Sequence, residues 1–457
     1  MRARLALVAV VLAVTLPSIA GAQSAERAAL ARSLDSIVTA EMALHQWPSV
    51  SALLVRGRDT IVNRAYGRSD LENDTPARVD GIYWIGSVTK QFVIAEVLRL
   101  AERGVLSMDD SVGRWLPNEP DAWRGTTMRQ LAWHTSGIPS FTGQPRSGMA
   151  LVRANSPVDS ALALVRGVPF DFPRGSNMLY NNTGYLLLGR IIEEATHKSL
   201  ADVLREDLFV PLALTHMSYC SLTQLVLNRA AGYSRVGNNV QRAILWWPDM
   251  AHGAGALCGT VGDLVKWSQA LHGGKVVSPA SYALMTAAGH LDDGTELRYA
   301  MGLLRTDVAG RRAFQHTGGI AGFTTWLAYL PDEELHVAMF VNLNAGGERP
   351  SLAGVKMVER VLGPKPAAPA VALDAKVRAS LAGTYGKAPL SFIVKDADGR
   401  LTIAQPGTPP TALTYRGNDR FESDNGATIV RFERAAPNTP ANRLRYDAGS
   451  MYLTLER

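Results

Sequence analysis

The chain has 457 residues, 47% hydrophobic and 19% charged, with a formal net charge of +6. This composition fits a soluble globular protein with a large core, built as one big domain plus something smaller. The charge is modest for the size and no dense Lys/Arg cluster appears, so a nucleic-acid partner is not indicated.

Arg2 and Arg4 precede an apolar run from Leu5 to Leu16, and Ala20-Gly21-Ala22 follows. This is the pattern of a signal peptide, residues 1–22, cleaved before Gln23. No Cys follows that site to carry a lipid anchor, and no other run nears 18 apolar residues. The mature chain is therefore expected to be secreted or periplasmic, without a membrane anchor, carrying 45 basic and 41 acidic side chains. Cys220 and Cys258 can either pair in such a compartment or stay as two buried thiols. They lack metal-ligand spacing and the nine His residues form no His-x-x-x-His pair, so neither a metal nor another cofactor is expected.

Ala25 to His45 reads as an amphipathic helix. Val50–Val55 and Thr60–Tyr66 are β-rich runs joined by a hairpin turn at Arg56-Gly57-Arg58-Asp59. A helix follows Ser87 and runs to Arg103, stopped by Gly104 in the C′ position. Phe92, Val93, Ile94, Val97, Leu98 and Leu100 cover most of its circumference, which predicts a buried helix. From Leu106 to Leu304 helical pieces alternate with Gly/Pro loops. Strand patterns return at Ala313–His316, Phe323–Leu330 and Leu335–Leu343, before a last helix over Ser351–Leu362. Two strands early and three late predict one antiparallel sheet interrupted by a mainly helical insertion. Residues 363–372, with Gly363-Pro364-Lys365-Pro366-Ala367-Ala368-Pro369, read as a stiff linker. Beyond it, short runs of period two at Leu390–Val394, Leu401–Ala404, Ala412–Tyr415, Thr428–Phe432, Arg443–Tyr446 and Met451–Leu455 predict a small β-barrel or sandwich over 373–457. Asp398-Gly399 and Asn425-Gly426 mark turns within it.

The chemistry centres on Ser87-Val88-Thr89-Lys90. A serine hydroxyl is a poor nucleophile until a neighbour takes its proton. Helical spacing of three holds the Lys90 amine beside the Ser87 oxygen, and burial of that amine lowers its pKa toward that of a base. Tyr180-Asn181-Asn182 lies before a helix beginning near Gly184, and His316-Thr317-Gly318-Gly319 ends a late strand. His134-Thr135-Ser136-Gly137-Ile138-Pro139 forms a polar turn, read here as structural, its side chains tying a loop. His252-Gly253-Ala254-Gly255-Ala256-Leu257-Cys258 imitates a dinucleotide-binding glycine loop but ends in Cys258. Thr260 with Asp263 reads as the start of a helix. No Gly-x-Ser-x-Gly elbow is present, which argues against an α/β-hydrolase.

Ser-x-x-Lys, Tyr-x-Asn and His-x-Gly in this order resemble the motifs of the serine β-lactamase-related superfamily. The class C-like branch is the most similar, with its DD-peptidases, D-aminopeptidases and esterases. The resemblance spans residues 25 to 362 and includes Leu131-Ala132-Trp133-His134-Thr135-Ser136-Gly137 and Thr183-Gly184-Tyr185-Leu186-Leu187-Leu188-Gly189. It implies an α+β fold: an antiparallel sheet flanked by helices with a mainly helical subdomain over 23–362, followed by a lipocalin-like C-terminal β-barrel. It also implies that Ser87 is an acylated nucleophile and that Lys90 and Tyr180 share the base work. Asn182 would hydrogen-bond Lys90 and substrate. The His316, Thr317, Gly318 and Gly319 strand would bind substrate, with the Ser87 and Gly319 amides as the oxyanion hole. Histidine in place of lysine at position 316 weakens carboxylate recognition. The expected function is therefore an esterase or D-amino-acid peptidase acting through acyl-Ser87. The alternatives are a protein acylated by β-lactams, or a binding scaffold without catalysis.

Overall fold

The computed structural model describes residues 19–153, 155, 157–344, 349–365, 370–424, 426–436 and 439–457. Most of the expected leader (1–18), the linker residues Pro366–Pro369 and Asn425 of the expected turn lie outside them.

Seven strands form the main antiparallel sheet. Their order is Leu304–Val308, Arg311–Ile320, Phe323–Leu330, Leu335–Val341, Ser49–Arg56, Asp59–Asp70 and Thr75–Pro76. Residues far apart in sequence meet at its centre, where Val50 pairs with Val341 and Arg56 with Leu335. The expected hairpin is present, with Arg56 opposite Asp59 and Gly57 at φ +56°. Ser49–Arg56 is buried on both faces, which explains why apolar residues rather than an apolar–polar alternation fill Ala52–Val55. On one face Val50, Ala52 and Leu54 pack with Leu34 and Val38 of the helix Ile19–His45 and with Met357 and Val358 of Ser351–Leu362. On the other, the helix Val261–His272 lies against the sheet. Thr260 caps that helix as expected, its hydroxyl accepting the Asp263 N–H at 3.0 Å.

Between the early and late strands lies the helical insertion. Its core carries the largest apolar cluster, in which Phe92 stacks on Trp267 with ring centroids 3.9 Å apart. The helix Thr89–Glu102 is buried along nearly its whole length and ends as the sequence suggests: Gly104 takes φ +71° and the Val105 N–H donates to Leu100 O. A short three-stranded sheet, Tyr83–Trp84, Leu257–Gly259 and Ser218–Tyr219, underlies its start, and Cys220 and Cys258 are joined by a disulfide there. No helix among the described residues is long and apolar enough to cross a membrane.

The C-terminal segment forms eight consecutive antiparallel strands from Gly383–Lys387 to Met451–Glu456. Two were not anticipated: Gly383–Lys387 is interrupted by glycine, and Arg420–Ser423 offers only Phe421 as an apolar residue. Inward side chains from all eight strands share one core, and Tyr385 meets Phe432 across it at 5.7 Å. The sheet therefore wraps around its core. Among the described residues no ladder joins Gly383–Lys387 to Met451–Glu456, so a closed barrel is not established. The ladder instead continues from Met451–Glu456 into Met178–Leu179 of the helical part.

Candidate active site

Ser87 sits in a 3-10 turn, Gly86–Val88, that opens the buried helix. Gly86 takes φ +50°, and the Thr325 hydroxyl holds the preceding Ile85 carbonyl at 2.9 Å. The strand Arg311–Ile320 runs hard against this turn. A Cβ at Gly86 would stand 2.9 Å from Gly319 N, and one at Gly318 would overlap the Ile85 carbonyl oxygen. These two glycines let the backbones meet.

One turn into the helix, Lys90 is fully buried. Its Nζ lies 3.1 Å from Ser87 Oγ, 2.8 Å from Asn182 Oδ1 and 2.8 Å from the Ala254 carbonyl oxygen. No carboxylate is among these partners, and burial drives the amine's pKa well below the ordinary lysine value. Asn182 opens the helix Asn182–Thr196, and Asn181 caps it by accepting the Gly184 N–H at 2.7 Å. The Asn182 amide is fixed in orientation because its Nδ2 donates to Thr142 Oγ1 at 3.1 Å.

Tyr180 completes the group. Its hydroxyl is buried and burial raises its pKa, partly offset by Ser87, which the hydroxyl faces without a well-formed hydrogen bond. Lys90 Nζ stands 4.8 Å from the centroid of the Tyr180 ring. Burial thus favours the neutral form of both the amine and the phenol.

His316 lies beside Tyr180, ring centroids 5.9 Å apart, but both its nitrogens are engaged by the protein. Nδ1 is 2.6 Å from the Thr317 carbonyl oxygen, which can only accept, so Nδ1 carries the proton. Nε2 then accepts from the Tyr299 hydroxyl at 3.0 Å. Burial, and secondarily Lys90, push the His316 pKa down to about 3. A neutral ring with both nitrogens occupied offers no cation to a substrate carboxylate, a stronger statement than the replacement of lysine allowed.

His134 is structural in the manner read from sequence, yet it belongs to this cluster. Its Nδ1 accepts the Asn181 N–H at 3.1 Å, its carbonyl accepts the Leu179 N–H at 3.1 Å, and its ring packs on Tyr180 at 4.5 Å. Sequence reasoning missed three contributors. The Ala254 carbonyl belongs to the segment set aside as a false glycine loop, and no side-chain pattern marks a carbonyl. Tyr299 stands in a loop with no motif around it. Thr142 has its signal only in three dimensions. Among the described residues no group of three or more His, Cys, Asp or Glu is placed to hold a metal ion.

A sequence model of the Beta-lactamase family matches residues 34–360, most of the chain and all of the cluster above. The chain belongs to the beta-lactamase family. Within it, Penicillin-binding protein 4* of Bacillus subtilis (strain 168) is 25% identical over 431 residues, covering 89% of this chain and 92% of that protein. The octameric penicillin-binding protein homologue from Pyrococcus abyssi shares the fold, with 22% identity, a TM-score of 0.65, and coverage of 93% of this chain and 99% of that one. The D-amino acid amidase from Ochrobactrum anthropi SV3, complexed with L-phenylalanine amide, matches with 25% identity, a TM-score of 0.63, and coverage of 73% and 97%. The family membership and these neighbours support serine hydrolase or acylation chemistry in general.

Proposed function

We propose that this protein is an extracytoplasmic serine hydrolase that cleaves an uncharged ester or a D-amino-acid amide through an acyl-Ser87 intermediate. The observation that carries this reading is the arrangement around Lys90. A neutral amine has two N–H donors and one lone pair. Asn182 Oδ1 and Ala254 O, both acceptors at 2.8 Å, consume the two donors. The lone pair is left for Ser87 Oγ–H at 3.1 Å.

Lys90 then takes the Ser87 proton as Oγ bonds to the substrate carbonyl carbon. The amides of Ser87 and Gly319 receive the developing oxyanion, worth about 3 kcal/mol per donor in systems where one has been removed. As the carbon–leaving-group bond breaks, the proton passes through the Tyr180 hydroxyl to the departing nitrogen or oxygen. Water, deprotonated by the same pair, attacks the acyl carbon and Ser87 recovers its proton. The neutral, fully engaged His316 supports substrates without a carboxylate beside the scissile bond. The leader pattern and the Cys220–Cys258 pairing support a secreted or periplasmic setting.

A second reading, stable acylation by β-lactams, draws support from the likeness to Penicillin-binding protein 4*. Intact mass and product release after exposure to an activated ester, a D-alanyl amide and a penicillin decide between them. Turnover of the ester or amide with weak penicillin labelling is expected; a persistent penicillin adduct without turnover of the others would overturn the hydrolase reading.

A further inference from the structure

We infer that the C-terminal sheet is a working part of the active site, with Asp447 as the positioning residue that holds Tyr180 and Tyr299 in place. This inference rests on the acyl-Ser87 reading above.

The contact begins in the backbone. Met178–Leu179, directly before Tyr180, is the ninth strand of the C-terminal sheet, with Met451 opposite Leu179 and Tyr452 opposite Met178. The Tyr180 N–H donates to the Ser450 carbonyl at 2.8 Å, and Asn177 Oδ1 accepts the Thr454 N–H at 3.0 Å. Tyr180 thus leaves a strand whose register the C-terminal sheet dictates.

The second attachment reaches Tyr299, the partner of His316. Its neighbour Arg298 donates from Nε to Asp447 Oδ2 at 2.9 Å, and from Nη2 to the carbonyls of Ala427 at 2.7 Å and Asp447 at 3.0 Å. The Arg298 and Asp447 side chains are only 17% and 14% exposed, so this pair is shielded from the screening that weakens surface ion pairs. Tyr452 packs in one buried cluster with Met178, Leu291, Leu297 and Tyr299, against which Tyr180 rests.

Both attachments converge on one turn. Asp447 Oδ1 accepts the Gly449 N–H at 2.8 Å, and Ala448 N–H donates to Met451 O at 2.9 Å. The carboxylate that grips Arg298 therefore also shapes the turn that presents the Ser450 carbonyl to Tyr180. Loss of that carboxylate weakens a support of each tyrosine at once, while the Met178–Leu179 ladder and the Arg298 bonds to backbone carbonyls remain. Misplacement by about 1 Å in such a constellation costs about 100-fold in rate.

The test is the second-order rate of Ser87 acylation by p-nitrophenyl acetate, followed by intact mass in the full chain, for the parent, Asp447→Ala and Asp447→Asn. Melting temperature is recorded for each, and rates are normalised to the fraction of molecules that can be acylated. Asp447→Ala is expected to acylate 10- to 100-fold more slowly per competent molecule, with its pH–rate profile displaced. Asp447→Asn, whose single carboxamide oxygen can accept from Gly449 or from Arg298 but not from both, is expected to acylate at a rate between those of the parent and Asp447→Ala. A melting temperature that falls while the normalised rate and pH profile match the parent would overturn the inference and leave the acyl-Ser87 reading intact. A parent that never acylates at Ser87 would overturn both.

Discussion

Lys90 Nζ and the carbonyl oxygen of Ala254 lie 2.8 Å apart, and the carbonyl reaches the amine because the helix Pro248–Gly255 is broken at His252. His252 takes φ 34° and ψ −130°, far from helical values, and its ring packs against Gly189 of the helix that also carries Asn182. Gly253 crosses that helix so closely that an added Cβ would overlap the Tyr185 carbonyl oxygen.

Gly253→Ala is therefore expected to destabilise the fold by about 1–3 kcal/mol, as overpacking of a tight contact does. It should also slow Ser87 acylation, because the two helices part and Ala254 O moves off Lys90. Denaturant unfolding together with acylation kinetics checks this. An unchanged acylation rate would show that the Ala254 carbonyl is dispensable as an acceptor for Lys90.

His134 yields a second expectation. It accepts the N–H of Asn181, between Tyr180 and Asn182, and no other described acceptor is bonded to that N–H. His134→Phe keeps a ring beside Tyr180 but leaves this buried N–H without an acceptor, at a cost of about 1–3 kcal/mol. Acylation should slow along with the loss of stability. Parental stability and rate in His134→Phe would contradict the role given to Nδ1.

The buried histidines set a direction for pH dependence. Burial pushes His336 down to about 4 and His272 down to about 3, the latter with help from His336, while unfolded rings titrate at about 6.5. Below about pH 6.5 the unfolded chain therefore binds more protons, and stability falls as pH is lowered toward 4. Each ring accounts for about 2 kcal/mol at pH 5. The urea midpoint should drop markedly between pH 7 and pH 5, and His336→Gln, which can still hydrogen-bond Ser268, should drop less. Equal drops in both proteins would exclude His336 as a source.

Much of this architecture could be read from residue order because its signals are local. Gly104 stops a helix by taking a positive φ, Thr260 caps one, and a run rich in aromatic and β-branched residues marks Phe323–Leu330. Ser87 and Lys90 share a helix face, so their proximity follows from spacing alone. The meeting of Lys90 with Asn182 was legible only through family resemblance, because 92 residues separate them. Ala254 and Asp447 were not legible at all: one acts through its carbonyl, and the other acts through a turn in a separate sheet. Strand Arg420–Ser423 was missed for a related reason, since its pairing with neighbours outweighs a polar sequence.

The central claim is that Ser87 is the acylated nucleophile. Intact mass and peptide mapping of the parent and Ser87→Ala after brief exposure to p-nitrophenyl acetate test it directly. The account predicts an acyl adduct on the peptide containing Ser87 in the parent, and neither adduct nor turnover above the uncatalysed rate in Ser87→Ala. An adduct on another residue, or hydrolysis by Ser87→Ala at the parental rate, would contradict it.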